Sequence, residues 1–275
     1  MLITASKAIK EFAPSVHKFA KRVFRWSKLP ALKLLDGKFT FVAPDLFSVA
    51  PTEPHILKWI EQLLHRGDIF FDVGAHYGWM SLVACHCVGA MGRVVAFEPS
   101  PPLVKFLQYH KKANRFHQME IVPKAVADCG DPMVPFHLVD CGGSSLNSLI
   151  DHRSESNTGL VREKATIQVE TLSLDEYCKI TNLRPQLVKI DVEGAELLVL
   201  QGSKRLLGEC RPTFIVAVHP MWMPENQSAA ELFELFRVHG YKVGDSKVVQ
   251  YGGAETGDYL FLPSAYKSFD SCEPA

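Results

Sequence analysis

An excess of charge of either sign is missing from this chain: 30 basic side chains balance 30 acidic ones over 275 residues, for a formal net charge of zero. No basic excess advertises nucleic acid and no acidic tail suggests a solvating role, so a small or neutral partner is expected. Paired cysteines are missing too. Cys85, Cys87, Cys129, Cys141, Cys178, Cys210 and Cys272 form an odd, scattered set without the CxxC spacing that grips zinc or runs dithiol chemistry. Free thiols of this kind suit a reducing compartment. Near the N-terminus the apolar residues are interleaved with Lys7, Lys10, Lys18, Lys21, Arg22 and Arg25 instead of gathering into a signal-peptide core. No apolar run is long enough to cross a bilayer. A cytoplasmic location follows as the expectation. Internal repeats and low-complexity tracts are absent.

What the chain has is apolar material for a core, 47% of its residues, in an order that changes along its length. Ile9, Phe12, Val16, Phe19 and Val23 recur at steps of three and four, an amphipathic helix whose opposite face is basic. Such a helix packs on the rest of the chain, or makes peripheral contact with a membrane surface. With a short β segment at 37–45 it forms an N-terminal extension over residues 1–50, and residues 51–275 read as one further domain. There, helices at 54–65, 77–88, 101–113, 173–180, 195–207 and 227–239 are separated by strands at 69–73, 93–98, 119–127, 187–191 and 213–218. Two final strands lie near 241 and 259. The strands are continuous apolar runs, as in a parallel sheet covered on both faces. Strand and helix in alternation predict a doubly wound α/β sheet. Strands at 133–139 and 165–171 interrupt the rhythm as a β insertion.

In FFDVGAHYGWM, residues 70–80, the first core strand delivers Asp72 to its carboxyl end, and Gly74 and Gly78 bracket Ala75, His76 and Tyr77. A turn from strand to helix at that edge is where open α/β sheets bind ligands, and its exposed N–H groups suit a carboxylate or phosphate. The middle glycine of GxGxxG is missing. His76 or Tyr77 would stand where a dinucleotide pyrophosphate needs bare backbone, which disfavours NAD. Glu98 ends the next strand, 26 residues after Asp72, where an acid can accept the hydroxyls of a ribose. Adenosine without pyrophosphate fits better, S-adenosyl-L-methionine above all, with its amino-acid end along the 72–78 turn.

A second acidic cluster lies in LVKIDVEGAELLVLQG, residues 187–202. Asp191 reaches the same sheet edge as Asp72, while Glu193 and Glu196 open the next helix, where the dipole alone favours acids. His219 ends the fifth strand in TFIVAVHP, within the pKa range of a proton acceptor. Asp191 and His219 are the candidate bases, with Glu193 beside them. Asp191, Glu193 and His219 are also metal-ligand types, but spacing alone assembles no site and no metal is assigned. Trp222 would form an apolar wall for an acceptor, and Ser144 and Ser145 in GGSSLNS could bind sugar-like hydroxyls.

FFDVGAHYG, VVAFEPSP, AVAD, ETLSLDEY and above all VKIDVEGAELLVLQG, in this order, resemble the FkbM family of S-adenosylmethionine-dependent methyltransferases over roughly residues 50–245. The resemblance implies a class I methyltransferase sheet, Rossmann-like, of about seven mostly parallel strands with the last antiparallel, and methyl transfer usually to oxygen. It implies that Asp72, Gly74, Ala75 and Gly78 form the cofactor turn, with His76 and Tyr77 in it. Glu98 and the adjoining Pro99 meet the ribose, Val126 and Ala127 lie against adenine, and Asp128 is a partner for its amino group. The family often has Asn where this chain has His76. The acceptor it implies is a hydroxylated small molecule: a sugar, glycan, lipid or natural product. A non-enzymatic S-adenosylmethionine-binding protein is the second reading. An NAD-dependent oxidoreductase is the third, disfavoured by the turn and by the absence of a TyrxxxLys pair.

Overall fold

The computed structural model describes residues 32–34, 39–41, 53–128, 132–139, 147–151, 164–251 and 254–264. The amphipathic helix expected around residues 9–23, and Ser144 and Ser145, lie outside these residues. A short antiparallel pair, β1 (Leu32–Leu34) and β2 (Phe39–Phe41), precedes the main domain. The helices that follow are α1 (Pro54–Leu63), α2 (Trp79–Val88), α3 (Pro101–Asn114), α4 (Leu174–Thr181), α5 (Glu196–Gln201) and α6 (Ala229–Val238). The strands are β3 (Ile69–Val73), β4 (Arg93–Phe97), β5 (Met119–Val122), β6 (Ala125–Val126), β7 (Met133–Val139) and β8 (Lys164–Leu172). They continue with β9 (Leu187–Ile190), β10 (Thr213–Val218), β11 (Tyr241–Tyr251) and β12 (Ala254–Pro263).

Seven strands form one sheet in the order β5-β4-β3-β9-β10-β12-β11. Every pair from β5 to β10 is parallel, and β12 runs antiparallel between β10 and β11. The order reverses direction between β3 and β9, so the topological switch point lies between the strands that end in Asp72 and Asp191. Residues alternate between two cores. Phe70 packs on one face with Val94, Leu187 and Ile215, under α1 and α2. Phe71 packs on the other with Val95, Val188 and Phe214, under α5 and α6. Burying one such Phe contributes on the order of 1.5–3 kcal/mol, and a strand buried on both sides explains why IFF carries no polar alternation.

Local chemistry sets the helix ends. Ser173 and Ser228 each accept a bond from the N–H three residues on, Glu176 and Glu231, in the S-x-x-E spacing that caps a helix start. Prolines at the first position open α1 and α3. Two expectations are corrected. The strand expected at 119–127 breaks at Pro123, and Ala125–Val126 leaves the main sheet to pair with β8, beside β7, in a three-stranded sheet. The helix expected at 195–207 ends at Gln201 and resumes as a π-helical turn, Leu206–Cys210. The cause lies at Gly202, where a Cβ would strike the Ala127 carbonyl, and at Ser203, whose Oγ donates back to the Val199 carbonyl.

Candidate active site

The turn after β3 is closed on itself by backbone bonds. Gly74 and Ala75 donate to the Phe97 carbonyl, both at 3.1 Å, and Gly78 donates to the Ala75 carbonyl at 2.7 Å. His76 donates its N–H to Glu98 Oε2 at 2.9 Å. The amides of Gly74, Ala75, His76 and Gly78 are thus engaged inside the fold. Gly74, His76 and Gly78 all have positive φ, 77°, 52° and 86°. Position 76 therefore needs a residue that tolerates left-handed backbone, which Asn and His both do, and this gives the Asn-for-His76 difference a conformational reason. A Cβ at Gly74 would overlap the Asp191 carbonyl oxygen, and one at Gly78 would overlap the Leu107 side chain of α3. The glycines serve approach by β9 and α3. Tyr77 is held from α3 by the Phe106 ring at 5.1 Å and through its carbonyl by His110 Nδ1 at 2.9 Å.

Glu98 is buried at the carboxyl end of β4, beside half-buried Pro99. Oε2 accepts the His76 N–H and Oε1 the Ser100 N–H, each at 2.9 Å, and each oxygen keeps further acceptor capacity. Burial pushes its carboxyl up to about 7 despite those two bonds. Asp72 does not reach the cleft: its exposure is 0%, with Ser81 Oγ donating to Oδ2 at 2.6 Å and Lys189 Nζ 3.6 Å from Oδ1. Asp72 thereby anchors the base of the turn through Ser81 and Lys189. Burial raises its pKa, against the pull of Lys189.

Lys189 stands inside β9, buried, with Nζ 3.2 Å from Asp191 Oδ2 and 3.3 Å from the Gly74 carbonyl. Burial alone would lower the ammonium pKa; Asp191 and Asp72 outweigh it and raise it. Asp191 in turn feels burial upward, but Lys189 and then His219 hold its carboxyl below the usual range. Just beyond, Glu193 and Gly194 take φ of 53° and 98°, and a Cβ at Gly194 would strike the Trp222 carbonyl. That glycine seats the loop after β10 on the loop after β9. His219 Nδ1 then lies 2.8 Å from Glu196 Oε1, Nε2 lies 3.6 Å from Glu193 Oε2, and the Trp222 ring stacks on the imidazole at 4.9 Å. Ligand atoms of Asp191, Glu193 and His219 lie within 4.8 Å of one another, so the fold assembles what spacing alone did not.

Burial would lower the pKa of His219, but the bond to Glu196 and the charges of Glu196 and Glu193 lift it to about 10, which favours the protonated imidazole. Burial and Asp191 raise Glu193 well above the carboxylate range. Val126 and Ala127 are buried beside β8, with Val126 in the core of the α5 face, and Asp128 is exposed after them. Sequence reasoning missed several residues. Ser148, buried in the same GGSSLNS segment, has Oγ 3.1 and 2.8 Å from the Val192 and Glu193 carbonyls and clamps the acidic loop. Glu53, ahead of α1, is pushed up to about 7 by burial and by repulsion from Asp191. His55 Nε2 lies 2.7 Å from Asp258 Oδ2. A buried lysine within an apolar strand, Lys189 in LVKI, was the one available signal for the ion-pair network.

An anionic acceptor with spare lone pairs ends the second parallel strand, and the neighbouring turn holds its amides inward. That set fits a ribose diol and not a pyrophosphate. The family model described as the methyltransferase FkbM domain matches residues 72–243, more than half of the chain. The chain belongs to the FkbM methyltransferase family. Its cofactor is S-adenosylmethionine. Among solved structures, an FkbM methyltransferase from Methylobacillus flagellatus is 13% identical over 74% of this chain and 50% of that one, with a TM-score of 0.46. The chain thus spans about half the length of that protein. The magnesium protoporphyrin IX methyltransferase of Synechocystis, solved with S-adenosylmethionine, is 10% identical over 78% of each chain, with a TM-score of 0.46. A fibrillarin from Aeropyrum pernix, also with the cofactor, is 10% identical over 73% of this chain and 68% of that one, with a TM-score of 0.43. No curated protein matches. The assignment of this FkbM domain to the class I methyltransferase fold agrees with its own strand order. No helix among its described residues is long and apolar enough to cross a membrane.

Proposed function

We propose that this FkbM-family chain is an S-adenosylmethionine-dependent methyltransferase that methylates a hydroxyl oxygen on a sugar-like or other hydroxylated small molecule. The supporting observation is the convergence at one sheet edge of Glu98, from β4, with Asp191, Glu193 and His219 from the loops after β9 and β10. Gly74 joins the two groups, because its turn holds Glu98 on one side and abuts the Asp191 carbonyl on the other.

In this reading Glu98 accepts the ribose hydroxyls, while Pro99 and the 74–78 turn, with His76 and Tyr77, bound the nucleoside. Val126, Ala127 and Asp128 are assigned to the adenine side. When bound, the cofactor supplies an electrophilic methyl group on a sulfonium. Asp191 orients the acceptor hydroxyl and receives its proton, Glu193 lines the same side, His219 holds Glu193 in place, and Trp222 closes the acceptor side. Carbon–oxygen bond formation is matched by rupture of the sulfur–carbon bond with its electron pair left on sulfur. The protein mainly aligns the lone pair in line with that bond and keeps the carboxylates within reach of the proton. A neutral chain, with carboxylates lining its cleft, suits a polar uncharged acceptor better than a nucleic acid.

Equilibrium binding of S-adenosylhomocysteine and NADH to the purified chain, followed by transfer of labelled methyl across glycans, lipids and hydroxylated metabolites, tests the reading. Binding of the homocysteine product with methyl transfer, and a folded Asp191→Ala variant with transfer greatly reduced, are expected. NADH binding without any response to S-adenosylhomocysteine would refute it. Cofactor binding with no transfer to any hydroxyl would favour the non-enzymatic alternative.

A further inference from the structure

We propose that Asp191, Glu193 and His219 form a divalent-cation site, of the type filled by Mn²⁺, at the acceptor side of the cleft. The three come from two loops that different strands deliver, and their ligand atoms lie within 4.8 Å of one another. Ligands at about 2.0–2.2 Å from one ion stand about 3–4.4 Å apart, so side-chain adjustment of up to about 1–2 Å brings the three onto one ion. Two carboxylates and one imidazole are a mixed oxygen and nitrogen set: the oxygens suit Mg²⁺ and Mn²⁺, the imidazole suits later transition ions, and Mn²⁺ accepts both.

Two further observations point to a ligand here. Glu193 Oε2 is fully enclosed, faces His219 Nε2 at 3.6 Å, and has no hydrogen-bond partner among the described residues. A buried carboxylate oxygen in that state is costly unless a proton or a cation meets it. Second, the imidazole is already oriented as a ligand. Glu196, fully buried, accepts from His219 Nδ1 at 2.8 Å and from the Gly194 N–H at 3.0 Å, which directs Nε2 toward Glu193 and Asp191. A carboxylate behind a histidine is the outer support that metal-binding imidazoles use. Trp222, stacked on the same ring, restricts its rotation.

Three protein ligands leave coordination positions that the partly exposed Asp191 and His219 turn toward the cleft. A hydroxyl oxygen of the acceptor would take one of them, and its acidity would rise there. Its proton would pass to the free carboxylate oxygen of Asp191 and on to solvent, and the electron pair left on oxygen would form the new bond to carbon as the sulfur–carbon bond breaks onto sulfur. This role rests on the methyltransferase reading; the cation site itself does not.

The test is titration of the full chain with MnCl₂, following loss of the free-ion signal by electron paramagnetic resonance, with S-adenosylhomocysteine binding measured in parallel. One Mn²⁺ per chain is expected, with affinity reduced at least tenfold in Glu193→Gln and in His219→Asn while product binding persists in both variants. Glu196→Gln, which leaves the three ligands in place, should weaken Mn²⁺ by about 10- to 100-fold. No uptake at millimolar Mn²⁺, or equal uptake by wild type and both ligand variants, overturns the proposal. Failure to bind S-adenosylhomocysteine with Mn²⁺ uptake intact would remove the methyltransferase reading and leave the cation site standing.

Discussion

Replacing Lys189 by Met should destabilise the domain by about 3–5 kcal/mol, the cost of stripping one partner from a buried ion pair. The structure supplies the reason for the upper part of that range. Lys189 is the cation between Asp72 Oδ1 at 3.6 Å and Asp191 Oδ2 at 3.2 Å, and it also bonds the Gly74 carbonyl. Asp191 keeps a partly exposed side chain and can be solvated. Asp72 cannot, because its exposure is 0% and Ser81 alone would remain to satisfy it. The loss therefore falls mainly on Asp72, which must protonate or remain charged without a partner. Pairing the change with Asp72→Asn removes that penalty: Asn keeps an oxygen for Ser81, and no bare charge is left in the core. The double variant should recover most of the lost stability, with a coupling of about 2 kcal/mol or more, within the range of residues that share one network. Urea unfolding followed by far-ultraviolet circular dichroism measures all four species. A cost below about 1 kcal/mol for Lys189→Met, or a double variant no more stable than the single, would refute the buried-pair reasoning.

Cofactor affinity should rise with pH through about 7. Glu98 is an acid raised by burial: the folded chain holds its proton above the unfolded range near 4.5, so its stabilising share is full below that value and fades as pH climbs through 7. Ribose hydroxyls prefer the ionised carboxylate, so S-adenosylhomocysteine should bind more tightly at pH 8 than at pH 6, and Glu98→Gln should flatten that profile; calorimetry that finds equal slopes sinks the assignment. Loss of the same carboxylate in Glu98→Ala should cost about 1–3 kcal/mol of cofactor binding. Two glycines separate conformational strain from close approach. Gly67 and Gly74 both have positive φ, 94° and 77°, but a Cβ at Gly67 meets nothing within 4 Å while one at Gly74 overlaps the Asp191 carbonyl. Thermal unfolding should show Gly67→Ala losing about 1–2 kcal/mol and Gly74→Ala about 1–3 more, with cofactor affinity reduced in the second alone; equal losses would mean the approach of β9 does not matter.

The fold was legible where burial acts on every residue of an element. IFFDV, RVVAF, LVKI and TFIVAV read as strands enclosed on both faces because most of their apolar residues alternate between the two cores, and the structure ends them within one residue of the expected positions. Boundaries set by distant partners were not legible. Pro123 could signal a break, yet only the pairing of Ala125–Val126 with β8 shows that the chain leaves the sheet there. The truncation of α5 depends on Gly202 meeting a carbonyl 75 positions earlier, at Ala127. The site divides in the same way. Position at a strand end identified Glu98, Asp191 and His219, since topology alone brings such residues to one edge. The states of Asp191 and His219 depend on Lys189 and Glu196, whose partners are remote in sequence.

His219 shows what that difference does to chemistry. Read from the chain, an imidazole at a strand end has a pKa suited to accept a proton. In the fold, Glu196 takes one ring nitrogen at 2.8 Å and Glu193 faces the other at 3.6 Å, so the ring is held as a cation between two acids. The same two contacts also aim Nε2 at the point where Asp191 converges, and the glycine of VEG permits it by letting the Trp222 carbonyl approach Gly194. Proton-holding and metal-holding are then alternative ways of meeting one demand, positive charge at the centre of three carboxylates. Both states rely on the carboxylate behind the ring: Glu196, which the sequence presents as a helix-opening acid, holds Nδ1 at 2.8 Å and so fixes the orientation of the imidazole in this site.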